Sequence, residues 1–337
     1  MPDHRRSIAV YGATGHTGRL VVRALRRRGL PVVAVGRRAG AAFDAGVPWR
    51  VAALDQPAAL DQAFADCALV INCAGPFLDT ATPVIESAVR VRCTYLDVTA
   101  EQASARDTFE RFDAPARAAG IAIVPAVGFY GGLADLLASA VVRDGIDDSL
   151  TIATALDHWW PTDGTRRTGA RNQVPRVVLE HGALVPIAEP RHMSWPFAPP
   201  HGLLDMMEVP LTEVITIARH LPLRHVRAFL NTSAVEELRD TATPPPVAAD
   251  ADGRSAQQFA MEVVAQGPAG TRRAIARGRD IYATSADLVA EAAARALDPS
   301  FTRVGACAPA QAFDARALLQ ALTRLGVHVS IDGAAIE

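Results

Sequence analysis

Three glycines carry the first chemical signal in this chain. Gly12, Gly15 and Gly18 stand three residues apart in GATGHTG, between an apolar run, SIAVY, and a helical pattern, TGRLVVRALRRR. A strand, a glycine turn and a helix in that order form a cradle for a dinucleotide pyrophosphate. The first glycine permits the tight turn, the second admits the phosphates to the backbone, and the third lets helix pack on strand. The helix N-terminus adds free N–H groups and the positive end of its dipole. Thr14, His16 and Thr17 add hydroxyl and ring donors beside it.

The next run, PVVAVGRRAG, ends a second strand in Gly36, Arg37 and Arg38. An acid that grips an adenine-ribose 2′-hydroxyl normally stands there, and the first acid after Gly36 is Asp44. Guanidinium groups suit a 2′-phosphate, so the expected cofactor is NADP(H), with Arg37 as its main partner and Arg38 in support. Asn72, Cys73, Ala74 and Gly75 end VINCAG, Asp97 ends YLDV, and Gly128 follows PAV. Small and polar residues at these strand ends would let the ribose and nicotinamide pass close to the backbone.

Hydride transfer also needs a proton source. Tyr130 lies just beyond the last of these strands and is the first candidate by position; His158, in LDHWW, is the second. Thr165 and Thr168 are expected to begin a helix whose N-terminus favours a developing oxyanion. Arg166, Arg167 and Arg171 could clamp a carboxylate or phosphate, or form a solvated face. Trp159, Trp160, Trp195 and Phe197 supply apolar walls or core. The histidines share no ligand spacing with Cys or acids, so no metal is expected.

Six short apolar strands alternating with helices over the first 130 residues predict an α/β, Rossmann-type doubly wound parallel sheet. After Gly131 the runs LTIATALDHWW, ALVPI, HVRAFLN, QFAMEVVAQG and TRRAIARG lack crossover helices. They predict a second α+β, mostly antiparallel domain. The expected division is 1–131 for nucleotide binding, completed by C-terminal helices within 280–337, and 132–279 for substrate. Thr241–Gly253 reads as a proline-rich loop. SADLVAEAAARAL reads as a helix capped by Thr284 or Ser285.

Half of the 337 residues are hydrophobic, 21% are charged and the net charge is −2, which suggests neither nucleic-acid binding nor a polybasic membrane surface. All 34 basic residues are Arg, which rules out a lysine Schiff base, a P-loop lysine and a Tyr-x-x-x-Lys pair. Cys67, Cys73, Cys93 and Cys307 lack C-x-x-C spacing and read as free thiols of a reducing compartment. With no signal-peptide pattern and no long apolar run, a cytoplasmic location is expected. A homodimer is compatible with base rates alone.

The blocks GATGHTGRLV, VINCAGPF, YLDVTAEQ and PAVGFYGGLADLLA, with the later GRDIYATSADLVAEAAARAL, together resemble the saccharopine dehydrogenase-like reductases, including the trans-acting enoyl reductases. The likeness covers roughly residues 7–140 and 270–325. It implies NADP contacts at Gly12, Thr14, Gly15, His16, Thr17, Gly18, Arg37, Asn72, Ala74, Gly75 and Asp97. It also implies that the last helices pack back on the nucleotide domain. PTDGTRRTGARN resembles the family's Gly-Thr-x-x-Ser helix start, with Thr168 for Ser. The expected function is NADPH-dependent reduction of a C=C or C=N bond in a small organic substrate, acyl or amino-acid-derived. The alternative is a non-catalytic NADP(H)-binding regulator.

Overall fold

A computed structural model describes residues 7–38 and 46–336. The first half runs β1 (Ser7–Tyr11), α1 (His16–Arg27), β2 (Val32–Gly36), β3 (Trp49–Val51), α2 (Pro57–Phe64), β4 (Cys67–Asn72), α3 (Phe77–Val91), β5 (Thr94–Asp97), α4 (Gln102–Ala119) and β6 (Ala122–Val124). A π-helical turn, Phe129–Leu133, leads into α5 (Ala134–Val141) and β7 (Ser149–Leu156). Then come α6 (Asp163–Arg171), β8 (Val177–Glu180), β9 (Ala183–Pro186), β10 (His192–Pro196), β11 (Leu203–Glu208), α7 (Thr212–Ala218), β12 (His225–Asn231) and α8 (Thr232–Arg239). The rest is β13 (Gln258–Gly267), β14 (Gly270–Arg279), α9 (Ile281–Ala296), β15 (Gly305–Ala306), α10 (Pro309–Ala312), α11 (Ala315–Thr323), β16 (His328–Ile331) and β17 (Ala334–Ala335).

The first sheet has the order β15-β6-β5-β4-β1-β2-β3, and every pairing in it is parallel. Its central strands are apolar on both sides because both faces are covered. One core joins the sheet to α1, α5 and α9 through Leu20, Val21, Leu25, Leu137 and Leu288. The other joins it to α2, α3 and α4 through Leu60, Phe64, Val84, Ile85 and Phe112. The order reverses between β1 and β4, which opens a crevice at the strands' carboxyl ends.

The second sheet has ten strands: β10-β11-β12-β7-β13-β14-β16-β17, with the β8–β9 hairpin attached through β12. Its described pairings are antiparallel except β7–β12, which run parallel with Ser149 opposite His225. The sheet is therefore mixed. The pattern reading did not reach β8, β10 or β11, which are short; β10 alternates polar and apolar residues and carries Pro196 at a sheet edge.

Two helix starts differ from expectation. Thr284 and Ser285 lie inside the first turn of α9; the cap is Asp280, whose side chain accepts from Tyr282 N and Ala283 N. Asp280 has φ 59°, outside the range a sequence pattern suggests for a cap. Likewise α6 starts before Thr165: Thr162 is the cap and accepts from Thr165 N at 3.1 Å. Residues 241–253 form an irregular connection, as the prolines imply. Near the end of the chain β15 joins the first sheet, whereas β16 and β17 extend the second.

Candidate active site

The glycine turn has the geometry its residues promise. Gly12 sits at φ +78°, and a methyl group there would meet Ala74 Cβ at 2.8 Å. A methyl group on Gly18 would collide with the Gly12 carbonyl. Gly15 N donates to Gly12 O at 3.0 Å, and Arg19 Nε donates to Thr14 O at 3.1 Å. Helix α1 begins at His16 with no side-chain cap, and Thr14 and Gly15 are exposed. Its first N–H groups therefore face outward without an intrahelical partner, which fits a bound diphosphate.

At the end of β2, Gly36 is buried under the Trp49 indole; a Cβ there would lie 2.6 Å from the ring. An acid at this position would have to displace that ring. Arg37 and Arg38 are exposed beside it, and Trp49 Nε1 donates to Arg38 O at 3.2 Å. Asp44 lies outside the described residues.

The ends of β4 and β5 are tied by a buried polar network. Asn72 Nδ2 donates to Thr80 Oγ1 and to the Tyr95 hydroxyl, and Asn72 Oδ1 accepts from Ala74 N at 3.0 Å. The Tyr95 hydroxyl donates to Asp97 Oδ2 at 2.8 Å; Asp97 Oδ1 accepts from Thr99 N and Ala126 N. Asp97 is fully buried, and desolvation pushes its pKa up to about 6 against the pull of these donors. Asn72 and Asp97 thus have their polar atoms engaged within the protein and fix the loops around the crevice. Glu101, which the sequence reading missed, does similar work: its two oxygens accept from Phe77 N (2.6 Å) and Leu78 N (3.1 Å) at the start of α3.

Beside the glycine turn lies a cavity of about 150 Å³. Thr17, Cys73 and Gly75 line it beside the glycine turn, with Val98 and Thr99 next to them and Phe129 and Tyr130 from the π-helical turn. The opposite wall is Trp159, then Thr162, Thr165 and Thr168 from α6, then Tyr282 and Ser285 from α9. The three threonines recur at i, i+3 and i+6, which places them on one helical face. Burial raises the Cys73 thiol pKa, so it stays neutral.

Tyr130 is the feature of most chemical interest. Its hydroxyl is buried with no hydrogen-bond partner. Its ring packs against Phe129 (5.0 Å between centroids) and Trp159 (5.7 Å). Desolvation first, then the neighbouring Tyr282 and Glu213, push its pKa well above the ordinary tyrosine value, while Arg176 opposes. The phenol accordingly holds its proton at neutral pH. Tyr282, also absent from the sequence reading, is fully engaged: its hydroxyl meets Trp159 Nε1 (3.3 Å), Thr165 Oγ1 (2.9 Å) and Thr162 N (3.4 Å). Ser285 Oγ accepts from Phe129 N at 2.9 Å, so α9 clamps the π-helical turn that carries Tyr130. Gly128 precedes that turn and packs against Val98 and Ser285.

Other candidates point elsewhere. His158 lies outside the cavity lining; its ring stacks on Trp160 and pairs with Glu237 Oε1 at 2.8 Å. Arg166 donates to the backbone oxygens of Asp240 and Thr243, Arg167 to Asp163 O, and Arg171 to Asp79. Trp195 and Phe197 pack in a separate cluster of the second sheet. His16 leans edge-on against Tyr282 at 5.2 Å; its Nε2 is buried and unpartnered, and burial lowers its pKa although Asp280 opposes. Among the described residues no group of three His, Cys, Asp or Glu is placed to hold a metal, and no helix is long and apolar enough to cross a membrane.

Comparison with known proteins agrees with this architecture. Residues 12–105 match a family described as NAD(P)H-binding. A trans-acting enoyl reductase of Mycobacterium leprae is 27% identical over 159 residues, 44% of this chain and 38% of that protein's own length. The fold is similar to apo saccharopine dehydrogenase (L-Glu forming) from Saccharomyces cerevisiae, with a TM-score of 0.66 at 13% identity, covering 97% of this chain and 99% of that one. It is also similar to the DAP dehydrogenase of C. glutamicum, solved in complex with DAP, with a TM-score of 0.51 at 13% identity over 94% and 96% of the two chains. The chain thus carries an NAD(P)H-binding segment at the head of a two-sheet fold that it shares with saccharopine and DAP dehydrogenases.

Proposed function

We propose that the protein is an NADPH-dependent oxidoreductase that reduces a C=C or C=N bond of a small organic substrate. The observation that carries this reading is the cavity. It adjoins the glycine turn, Tyr130 lines it, and the Tyr130 hydroxyl is buried, protonated and without a partner.

The α1 N-terminus and the turn from Gly12 to Thr17 hold the diphosphate, with the Cys73–Gly75 segment along the ribose and nicotinamide. Arg37 and Arg38, exposed beside a glycine where an acid would be blocked by Trp49, favour the 2′-phosphate. A bound reduced nicotinamide would supply the hydride. Tyr130 would deliver the proton from its hydroxyl, and the apolar neighbours Phe129 and Trp159 would keep water from competing. Thr165, through its bond to Tyr282, positions α6 over the substrate. Arg166 and Arg171 anchor α6 from outside and take no part in binding, and His158 does not reach the substrate.

Calorimetric titration tests the cofactor assignment. NADPH should bind at least tenfold more tightly than NADH, and Arg37→Ser should remove most of that difference. Equal binding of the two would end the NADP assignment. NADPH that binds tightly but is never oxidised by unsaturated carbonyl or imine compounds would favour the regulator.

A further inference from the structure

We infer that the substrate side of the cavity receives an uncharged, largely hydrocarbon group bearing a neutral hydrogen-bond acceptor, in preference to an amino acid or a free carboxylate. This rests on the oxidoreductase reading and names its substrate class.

The side chains that line the cavity are neutral. Phe77, Phe129, Trp159 and Ile281 offer hydrocarbon surface, and the polar groups between them are hydroxyls, the Cys73 thiol and the Trp159 indole N–H, which is bonded to Tyr282. Most of the hydroxyls facing the substrate are already engaged. Thr165 and Thr162 bond to each other, Thr165 bonds to Tyr282, and Thr168 bonds to Glu101. The buried Tyr130 hydroxyl has no partner, and Thr17 adds a second hydroxyl to the lining. A few neutral donors in an apolar wall suit a carbonyl or imine; a carboxylate would need charged or converging donors.

The charge behind the wall points the same way. Asp97 adjoins Val98, Glu101 lies under Phe77 and Thr168, Asp280 starts α9 beside Tyr282, and Glu213 faces Tyr130. All four are at most 2% exposed. The opposing cation on that side is Arg176, which interacts with Glu213 and Tyr130. The α6 arginines, the chain's nearest means of holding a carboxylate, are bonded outside the cavity. An anion would enter without a counter-charge and meet like charges.

A cation fares no better. Asp97, Glu101 and Asp280 direct their oxygens to backbone amides: Asp280 to Ser255, Tyr282 and Ala283, Glu101 to Phe77 and Leu78, Asp97 to Thr99 and Ala126. They leave an ammonium group no carboxylate acceptor on the cavity face, and Glu213, whose second oxygen is unpartnered, is buried behind the lining.

Three probes of one size and different charge test the inference: trans-cinnamamide, trans-cinnamate and cinnamylamine, titrated calorimetrically into the full chain saturated with NADP+ at pH 7. Cinnamamide should bind at least tenfold more tightly than either ion, and Tyr130→Phe should weaken the amide severalfold. An ion that binds as tightly as the amide overturns the inference, as does an amide that fails to bind. If NADP+ itself does not bind, the oxidoreductase reading fails separately, and the same ranking measured on the free protein still decides the charge preference.

Discussion

Tyr130 and Tyr282 line the same cavity, yet only Tyr282 has its hydroxyl bonded within the protein. Tyr130→Phe should therefore cost little stability while lowering kcat about a hundredfold, with NADPH affinity unchanged, as read by steady-state NADPH oxidation with any substrate that turns over. Glu213, behind Tyr130, makes a stability prediction. Burial raises its pKa to about 7, although Leu211 N–H and Arg176 pull it down, and one of its oxygens has no partner. The folded state binds this proton more tightly than the unfolded chain does. Its stabilising contribution is complete below about pH 4.5 and is lost as the pH rises through 7; Asp97 acts in the same direction up to about pH 6. Glu213→Gln should leave stability at pH 4 nearly unchanged and raise it at pH 8 by up to roughly 3 kcal/mol, measured by denaturant unfolding. An unchanged pH slope would refute it. At this scale the glycine turn was legible because it has a local signature: its spacing and the strand and helix around it lie within thirty residues. Tyr282, Glu101 and Glu213 were not, because their importance comes from residues as much as 120 positions away. The arginines of α6 misled for the same reason: their charge is visible in sequence, but the partners that turn them outward are not.

Among the elements, the parallel strands and their helices were readable from apolar runs and 3.6-residue periodicity. The short strands β8, β10 and β11 were not, since they depend on neighbours for their pairing. The two helix caps show the limit. A Ser or Thr beside a periodic run is a common cap, but Asp280 is set by the close of β14 and reaches three backbone donors, including Ser255 N across the chain. Asp280→Ala should leave those donors unpaired in a fully buried place and cost about 2–4 kcal/mol, by denaturant unfolding. The pairing of β2 with β3 gives a sharper test. Gly36→Asp, the change that would restore an acid for the 2′-hydroxyl, must push the Trp49 ring aside. It should destabilise the protein by about 1–3 kcal/mol and yield no gain in NADH affinity. A stable variant that prefers NADH would show that the ring yields easily.

In the whole molecule the cavity draws on both halves of the chain: the glycine turn and π-helical turn on one side, and α6 and α9 on the other. Helix α9 also lies along α1, with Arg28 paired to Glu291 and Arg27 to Asp287. Cofactor binding should therefore stabilise the molecule as one unit. At a hundredfold excess over Kd, NADPH should add about 2.7 kcal/mol and move a single thermal transition, without splitting it in two. Two separate transitions, only one of them shifted, would argue against that coupling.

The α9–α1 contact also bears on the order of assembly. Helix α1 is made within the first thirty residues, while its cover, α9, is made only after residue 280. During synthesis, Leu20 and Leu25 must wait for about 260 further residues before their partners in α9 exist, although the first strands are already made. A nascent chain paused near the middle would expose this seam, and long-range closure of that kind is slow. A chaperone holding α1 during translation would cover this seam until α9 is made.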